Sequence, residues 1–280
     1  MSVPDHSVAQ DPPAVTPVPS PQPAREPTGG YRPVTPWSPL WALGTTALIM
    51  GIVYLFLAIA LVVIVMRTSD VSAVAAGATL RLEFGKPVVA YTFGAMMLLS
   101  QLLGIGLTFA FARRYGARAL DVLALNRPVG GGSAYLWAVP AFVVFGFGVG
   151  ALVQWLSPQS SQADTQIMVE LTRSPAWWMI LIAAVVLAPL QEELLFRGFL
   201  FSALARSRML QFVGATLITS VCWAAIHGYS PQGNATIFAL GLALSFVLWR
   251  TGSTRVTMLC HGTYNALAFV AASFVPPPGV

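Results

Sequence analysis

Residues 176–201 read AWWMILIAAVVLAPLQEELLFRGFLF, an apolar stretch that carries Glu192, Glu193 and Arg197 in its second half. A bilayer core about 30 Å thick is crossed by roughly 20 apolar residues of α-helix, so the stretch is long enough to span it. A charged side chain at the centre of such a helix costs about 2.5 to 3.5 kcal/mol, so each one needs a partner or a function. The stretch therefore predicts a membrane helix that carries a functional site.

The rest of the chain has the same membrane-like composition. Of its 280 residues, 56% are hydrophobic and 9% are charged, whereas about 25% of the residues in soluble globular domains are charged. The predicted fold class is an all-α, polytopic transmembrane helix bundle of about seven (six to eight) spans. The spans are expected at about 40–66, 87–112, 133–156, 176–196, 212–228, 235–250 and 256–275. Residues 71–84 are too short and too polar to cross alone, and we expect them to lie in the membrane interface unless they cross with their neighbours as an eighth span.

The N-terminal segment has a different composition. Residues 1–38 are rich in Pro and lack periodicity, which predicts a disordered cytoplasmic tail. The membrane domain is expected over residues 39–280, and its core, which carries the polar residues described below, at about 133–275. More Lys and Arg residues fall on the predicted N-terminal side of the spans than on the other side, which indicates a cytoplasmic N-terminus. The net charge of +5 then reflects loop residues, and we expect no nucleic-acid partner.

The three charged residues of the opening stretch have unequal surroundings on a helix. Glu193 and Arg197 stand at positions i and i+4, the favourable order for an ion pair. Glu192 is turned about 100° away from Glu193, so its carboxylate is left to face a cavity and hold a water molecule. The structural alternative is a buried ion pair with the second carboxyl kept protonated. Pro189 removes a backbone donor and predicts either a kink that opens the helix beside the acids or a tolerated proline.

Two later stretches add polar residues of the same kind. The first is CWAAIH at 222–227, where Trp223 lies one helical turn before His227; the second is HGTYN at 261–265, where His261 and Asn265 share one helix face. Neutral imidazoles can ligate a metal, orient a water molecule or donate to an oxyanion, and Asn can donate to the same oxyanion. Because the first three spans lack such groups, we expect the C-terminal helices to form one polar cavity and the N-terminal helices to be scaffold.

The order EExxxR, aromatic-xxx-His and HxxxN on successive membrane helices resembles the CAAX protease and bacteriocin-processing family of intramembrane peptidases, which includes the eukaryotic prenyl-protein endopeptidase. The resemblance covers roughly residues 176–275. The matching residues, taken as candidate catalytic residues, are Glu192, Glu193, Arg197, His227, His261 and Asn265. The second motif usually opens with Phe in the family, and here it opens with Trp223. We expect that change to alter the cavity wall more than the chemistry.

The resemblance implies an endopeptidase that hydrolyses a peptide bond. Glu192 and His227 would activate water, and His261 and Asn265 would stabilise the tetrahedral oxyanion. The family has also been described as a metalloprotease, and Glu192, His227 and His261 would be the zinc ligands in that case. HExxH is absent, and the cysteines lack a zinc-ligand spacing. The metal-free glutamate mechanism, with no required cofactor, is therefore the preferred expectation.

Two other functions fit some of the same residues. Intramembrane Glu, His and Arg also serve proton-coupled transporters, which usually consist of two repeated halves. A non-catalytic membrane chaperone or immunity protein could keep the fold. We favour the peptidase because every motif position is filled. The expected setting is the plasma membrane of a bacterium, with a membrane-associated peptide or protein as substrate.

The depth of the site residues along their helices sets a geometric test. At about 1.5 Å per residue, Glu192 lies about 21 Å from Arg206, and His227 lies about 24 Å from Gln211. His261 lies only about 9 Å from Arg255. The sequence therefore predicts either that the fourth helix stops near Gly198 or that the seventh span begins outside the membrane.

Overall fold

The computed structural model describes residues 30–68, 83–116, 118–157 and 161–275, and within these ranges every regular element is a helix. The nine α-helices of this part are α1 (Pro39–Thr68), α2 (Pro87–Arg113), α3 (Ala119–Val122), α4 (Gly132–Leu156), α5 (Ser161–Thr172), α6 (Trp177–Arg206), α7 (Gln211–Ala225), α8 (Pro231–Thr251) and α9 (Thr254–Phe274). The all-α fold class is confirmed.

Each of the seven predicted spans coincides with one of these helices. Five of them, α1, α2, α4, α6 and α8, are long and apolar enough, by length and composition, to cross a membrane. Helix α7 is apolar but has only 15 residues. The interfacial helix predicted at 71–84 falls almost wholly on 69–82, which lie outside the described residues, as do residues 1–29 of the predicted tail.

Residues 30–38, which the sequence assigned to the tail, lie against the bundle. The Tyr31 ring meets Phe201 edge to face with centroids 5.5 Å apart, and the Trp37 ring stacks on Phe199 at 4.6 Å. These aromatic contacts bury both side chains. The packed part of the chain therefore begins before the predicted boundary at residue 38.

Apolar side chains cover the outside of the bundle as well as its core. Helix α4 exposes large apolar residues along its length: Leu136, Val144 and Trp155. Soluble monomers rarely expose contiguous apolar patches of this kind, whereas a lipid-facing helix requires them. The buried residues of the α6 C-terminal half form the centre of the core, and among them are Phe196, Phe199 and Phe201.

Helix α6 departs from regular α-helical geometry on both sides of Pro189. Residues Ala183–Leu187 and Glu193–Leu200 form π-helical turns, which are rare and frequent at functional sites. Pro189 carries no N–H, and the carbonyl of Ala184, five residues earlier, accepts instead from Asn265 Nδ2 at 2.8 Å. A side chain on α9 thus supplies the hydrogen bond that the proline cannot make.

The connection between α7 and α8 lies in the middle of the bundle. At about 1.5 Å per residue, the 15 residues of α7 extend about 22 Å, whereas the 30 residues of α6 extend about 45 Å. The turn that carries His227 is therefore about halfway along α6, at the level of Glu192.

The position at which α9 starts explains why His261, counted from Arg255, seemed to lie less deep than Glu192 and His227. Thr254 donates from its backbone N–H to Ala124 and from its hydroxyl to Leu123, and a Cβ on Gly198 would lie 3.0 Å from the Leu123 carbonyl oxygen. Helix α9 therefore begins level with Gly198, about eight residues deeper than Arg206. The prediction that α6 stops near Gly198 is wrong, because it continues to Arg206. The assumption that Arg206 and Arg255 lie at one depth had produced the mismatch.

Candidate active site

Glu193, Arg197 and His261 form a buried cluster, the name used below for these three residues. One guanidinium nitrogen, Arg197 Nη1, lies 2.9 Å from Glu193 Oε1, and His261 Nδ1 lies 3.1 Å from the same oxygen. An ionised carboxylate only accepts hydrogen bonds, so Nδ1 of His261 carries a hydrogen. In the neutral ring the second nitrogen, Nε2, then carries none. Neither Glu193 nor Arg197 has any exposed side-chain surface. The predicted i, i+4 ion pair is present within the membrane helix.

Glu192 faces a different neighbour. Its Oε2 lies 3.9 Å from His227 Nε2, and the two side chains are 13% and 17% exposed. His227 Nδ1 lies 2.7 Å from the Trp223 carbonyl oxygen, and because a carbonyl only accepts, Nδ1 carries the hydrogen. In the neutral ring Nε2 then presents a lone pair to Glu192.

A separation of 3.9 Å is too long for a direct hydrogen bond. One water molecule can bridge two acceptors at this distance by donating a hydrogen to each. Glu192 and His227, called the water-binding pair below, therefore have the geometry to hold and deprotonate a single water molecule. Both side chains are partly exposed, so the pair can be reached from outside the protein.

Trp223 contacts both groups. Its side chain is 1% exposed, and its indole Nε1 donates to Glu192 Oε2 at 2.6 Å. The Arg197 guanidinium carbon lies 4.2 Å from the centroid of the indole ring. Both site histidines meet the same ring edge to face, at 5.1 Å for His227 and 5.3 Å for His261. We expected Trp in place of Phe to alter mainly the cavity wall. That expectation is incomplete, because the indole N–H binds Glu192 and Phe has no N–H to donate.

Asn265 is engaged elsewhere in this conformation. Its amide donates to the Ala184 carbonyl, so the group expected to donate to an oxyanion instead holds the first π turn of α6. The nearby Gly262 allows the close approach of α9, because a Cβ there would lie 2.8 Å from the Val185 carbonyl oxygen. These two residues attach α9 to the irregular part of α6.

Two tyrosines near the water-binding pair were not predicted. Tyr54 of α1 donates its hydroxyl to the carbonyl of Ile226, the residue before His227. The Tyr229 ring lies 5.6 Å from the His227 ring. Burial raises the pKa of Tyr229, and the nearby carboxylates of Glu192 and Asp164 raise it further. Tyr229 therefore remains a protonated phenol near neutral pH.

Helix α5 is attached to the same turn. The carboxylate of Asp164 accepts from the Ser230 backbone N–H at 3.2 Å and from its hydroxyl at 2.7 Å. The Ser230 hydroxyl in turn accepts from the Gly233 backbone N–H and caps α8. The loop that holds His227 is thus fixed by a polar contact from outside the four C-terminal helices.

The described part of the chain contains no group of three or more His, Cys, Asp or Glu side chains placed to hold a metal ion together. His261 Nδ1 is taken by Glu193, and Glu192 Oε2 already accepts from Trp223. Glu192, His227 and His261 are thus not grouped as three ligands of one metal ion in this conformation. Cys222 and Cys260 are free thiols.

Comparison with known proteins gives one result, and it falls on this site. No curated protein matches the chain, and no solved structure matches it either. Residues 174–267 match the family described as type II CAAX prenyl endopeptidase Rce1-like. The matched segment contains all six predicted site residues, and its apolar helices are those of a multi-pass membrane protein. The resemblance read from the three motifs is therefore confirmed: residues 174–267 are similar to the Rce1-like type II CAAX prenyl endopeptidase family.

Proposed function

We propose that the protein is an intramembrane endopeptidase that hydrolyses a peptide bond with a water molecule held between Glu192 and His227. The observation that carries the proposal is the 3.9 Å separation of Glu192 Oε2 and His227 Nε2, with the His227 tautomer set by the Trp223 carbonyl. The family match supports a membrane endopeptidase in general. The glutamate mechanism is our own inference.

In this mechanism Glu192 takes a proton from the water while the water oxygen attacks the scissile carbonyl carbon. A C–O bond forms, and the carbonyl electron pair moves to its oxygen as an oxyanion. When the carbonyl re-forms, the C–N bond breaks, and Glu192 returns the proton to the leaving nitrogen. The products are a carboxylic acid and an amine, and Glu192 ends as it began.

His261 is the proposed stabiliser of the oxyanion. Its Nδ1–H is directed at Glu193, so Nε2 donates a hydrogen bond only when the ring is an imidazolium. An imidazolium at this position would have the Glu193 carboxylate as its ion-pair partner. Asn265 contributes by holding α9 on the π turn through Ala184, and Arg197 holds the Glu193 carboxylate in an ion pair.

We also propose that this reaction requires no metal cofactor, since the described side chains form no group of three metal ligands and Glu192 and His227 can hold the water molecule between them. The test is to treat the active protein with a strong chelator and then to add back zinc. Unchanged peptide cleavage after chelation is expected. Loss of cleavage that zinc restores would contradict the metal-free mechanism.

The proposed setting is the plasma membrane of a bacterium, with the N-terminus in the cytoplasm and a membrane-associated peptide or protein as substrate. The basic residues at the ends of α2, α6 and α8 support this orientation: Arg113, Arg206 and Arg250. Helices α2, α6 and α8 end on one side of the bundle, near residues 30–41. Phe111 of α2 contacts Trp41, Arg206 of α6 contacts Thr35, and Trp249 of α8 accepts from the Tyr31 backbone N–H.

The decisive experiment compares membrane proteomes of a strain that lacks the native copy and carries either wild type or Glu192→Gln. The variant keeps the size of the side chain but has no carboxylate to take a proton, so we expect substrates to accumulate and cleavage to fall by about 10²-fold or more. Glu83→Gln is the matched control, because Glu83 is an exposed acid paired with Lys86 before α2. Identical proteomes for wild type and Glu192→Gln at equal protein levels would refute the peptidase.

A further inference from the structure

Trp223 contacts both Glu192 and Arg197, and it lies where the two glutamates could compete for the one arginine. Adjacent glutamates, Glu192 and Glu193, precede one buried arginine on the same helix. The i, i+4 spacing favours Glu193 as the partner of Arg197, but a guanidinium also binds a second carboxylate strongly when one is within reach. An active site that needs one free carboxylate must prevent the wrong pairing.

The indole ring separates the wrong pair. Its face lies over the Arg197 guanidinium at 4.2 Å, a distance at which a cation is attracted to the ring. The Nε and Nη2 atoms of Arg197 are buried and make no hydrogen bond among the described residues, so the ring covers donors that would otherwise seek a second carboxylate. Glu193 keeps the guanidinium through Nη1.

The edge of the same ring holds the other acid. Trp223 Nε1 donates to Oε2 of Glu192 at 2.6 Å, and Oε2 is the oxygen nearer to His227 Nε2. The Trp223 backbone carbonyl sets the His227 tautomer at the same time. One residue therefore fixes both members of the water-binding pair.

We propose that Trp223 is the positioning residue of this active site. Its N–H orients Glu192 toward His227, and its ring reserves Arg197 for Glu193. The effect on rate depends on the proposed hydrolysis, whereas the Trp223–Glu192 contact does not. The Phe usual at this motif position would supply a ring face without the N–H, so this contact is a property of the present chain.

A double-mutant cycle measures the contact without any substrate. Trp223→Phe and Glu192→Leu are made singly and together, and thermal unfolding is followed in detergent or in vesicles of phosphatidylglycerol and phosphatidylethanolamine. Trp223→Phe is expected to lower Tm in wild type and to have a clearly smaller effect in the Glu192→Leu background, where no acceptor remains. Equal effects in both backgrounds would overturn the proposal. Trp137→Phe, at an exposed position of α4, is the matched control.

Steady-state kinetics on a peptide that wild type cleaves test the positioning role. We expect Trp223→Phe to lower kcat by roughly ten-fold and to leave KM unchanged, because a loose carboxylate is misaligned for proton transfer but still allows substrate binding. A purely structural role would leave kcat per folded molecule unchanged, and that result would overturn the proposal. If wild type cleaves nothing while the cycle shows coupling, the peptidase function fails and the contact stands.

Discussion

The two adjacent glutamates lie in regions of opposite character. Glu193 belongs to the buried cluster, where Arg197 and His261 share one of its oxygens and no carboxylate surface is exposed. Glu192 belongs to the water-binding pair, which is partly exposed and whose imidazole lies beyond direct hydrogen-bond distance. A single residue step along α6, together with the ring of Trp223, which contacts Glu192 by its N–H and Arg197 by its face, produces this difference.

The different surroundings of Glu192 and Glu193 allow one membrane helix to carry two adjacent acids without an unpaired buried charge. A buried carboxylate requires a partner, since an unpaired charge in an apolar interior is very unfavourable. Glu193 has that partner and is therefore held in place. Glu192 keeps access to water and is therefore available for proton transfer. Glu193 and Arg197 of the cluster provide structure and hold His261, the proposed oxyanion stabiliser, whereas the pair provides the proposed water activation.

The largest expected effect comes from breaking the buried cluster. Arg197→Met leaves Glu193 buried without its cation, and removal of one partner of a buried pair costs about 3 to 5 kcal/mol. We expect a large loss of folded protein in detergent unfolding assays. Glu193→Gln combined with Arg197→Met should recover much of that loss, because no charge then remains unpaired.

Arg118→Met is the control for the previous variant. Arg118 pairs with Asp121 at 2.8 Å, but its side chain is 88% exposed, and exposed pairs contribute only about 0 to 1 kcal/mol. If Arg197→Met proved as mild as Arg118→Met, the division between buried cluster and water-binding pair would lose its physical basis.

A smaller effect is expected where α9 approaches the π turn of α6. Gly262→Ala places a Cβ 2.8 Å from the Val185 carbonyl oxygen, and such overpacking costs about 1 to 3 kcal/mol. We expect a lower Tm together with lower activity, since His261 is the preceding residue. Gly148→Ala on α4 meets nothing within 4 Å among the described residues and should be neutral or slightly stabilising. Equal Tm values for the two variants would show that α9 can move away without cost.

The helices and the site region could be predicted because their signals are local. Apolar length predicted all seven long helices, and three short motifs located the segment that the family match covers. The Glu193–Arg197 pair followed from i, i+4 spacing alone. These features depend only on the spacing of residues within one helix, and that spacing can be counted in the sequence.

The contacts between helices could not be predicted in the same way. The bond from Trp223 to Glu192 depends on the rotation of α7 against α6, and no spacing rule fixes that rotation. The π turns on either side of Pro189 depend on a change in the backbone hydrogen-bond pattern. The spacing of side chains in the sequence does not indicate such a change. The tail boundary was placed too late because Tyr31 and Trp37 act as isolated aromatic contacts.

Tyr54 gives the last and smallest test, because it connects the scaffold to the water-binding pair. It is the one tyrosine of α1, and a lone tyrosine in an apolar span carries no motif, so the expectation that α1 is only scaffold missed it. Its hydroxyl donates to the Ile226 carbonyl and so holds the turn that ends at His227.

Tyr54→Phe removes this hydrogen bond and keeps the ring, at a cost of about 0.5 to 1.5 kcal/mol. Because the bond supports His227 and not the buried cluster, we expect kcat to fall by a few fold while the free energy of unfolding falls by no more than this amount. The control is Tyr135→Phe, which removes the hydroxyl of a partly buried tyrosine on α4. A loss of stability without a change in kcat would assign Tyr54 to the scaffold, as the sequence suggested, and would confine the proposed chemistry to the C-terminal helices.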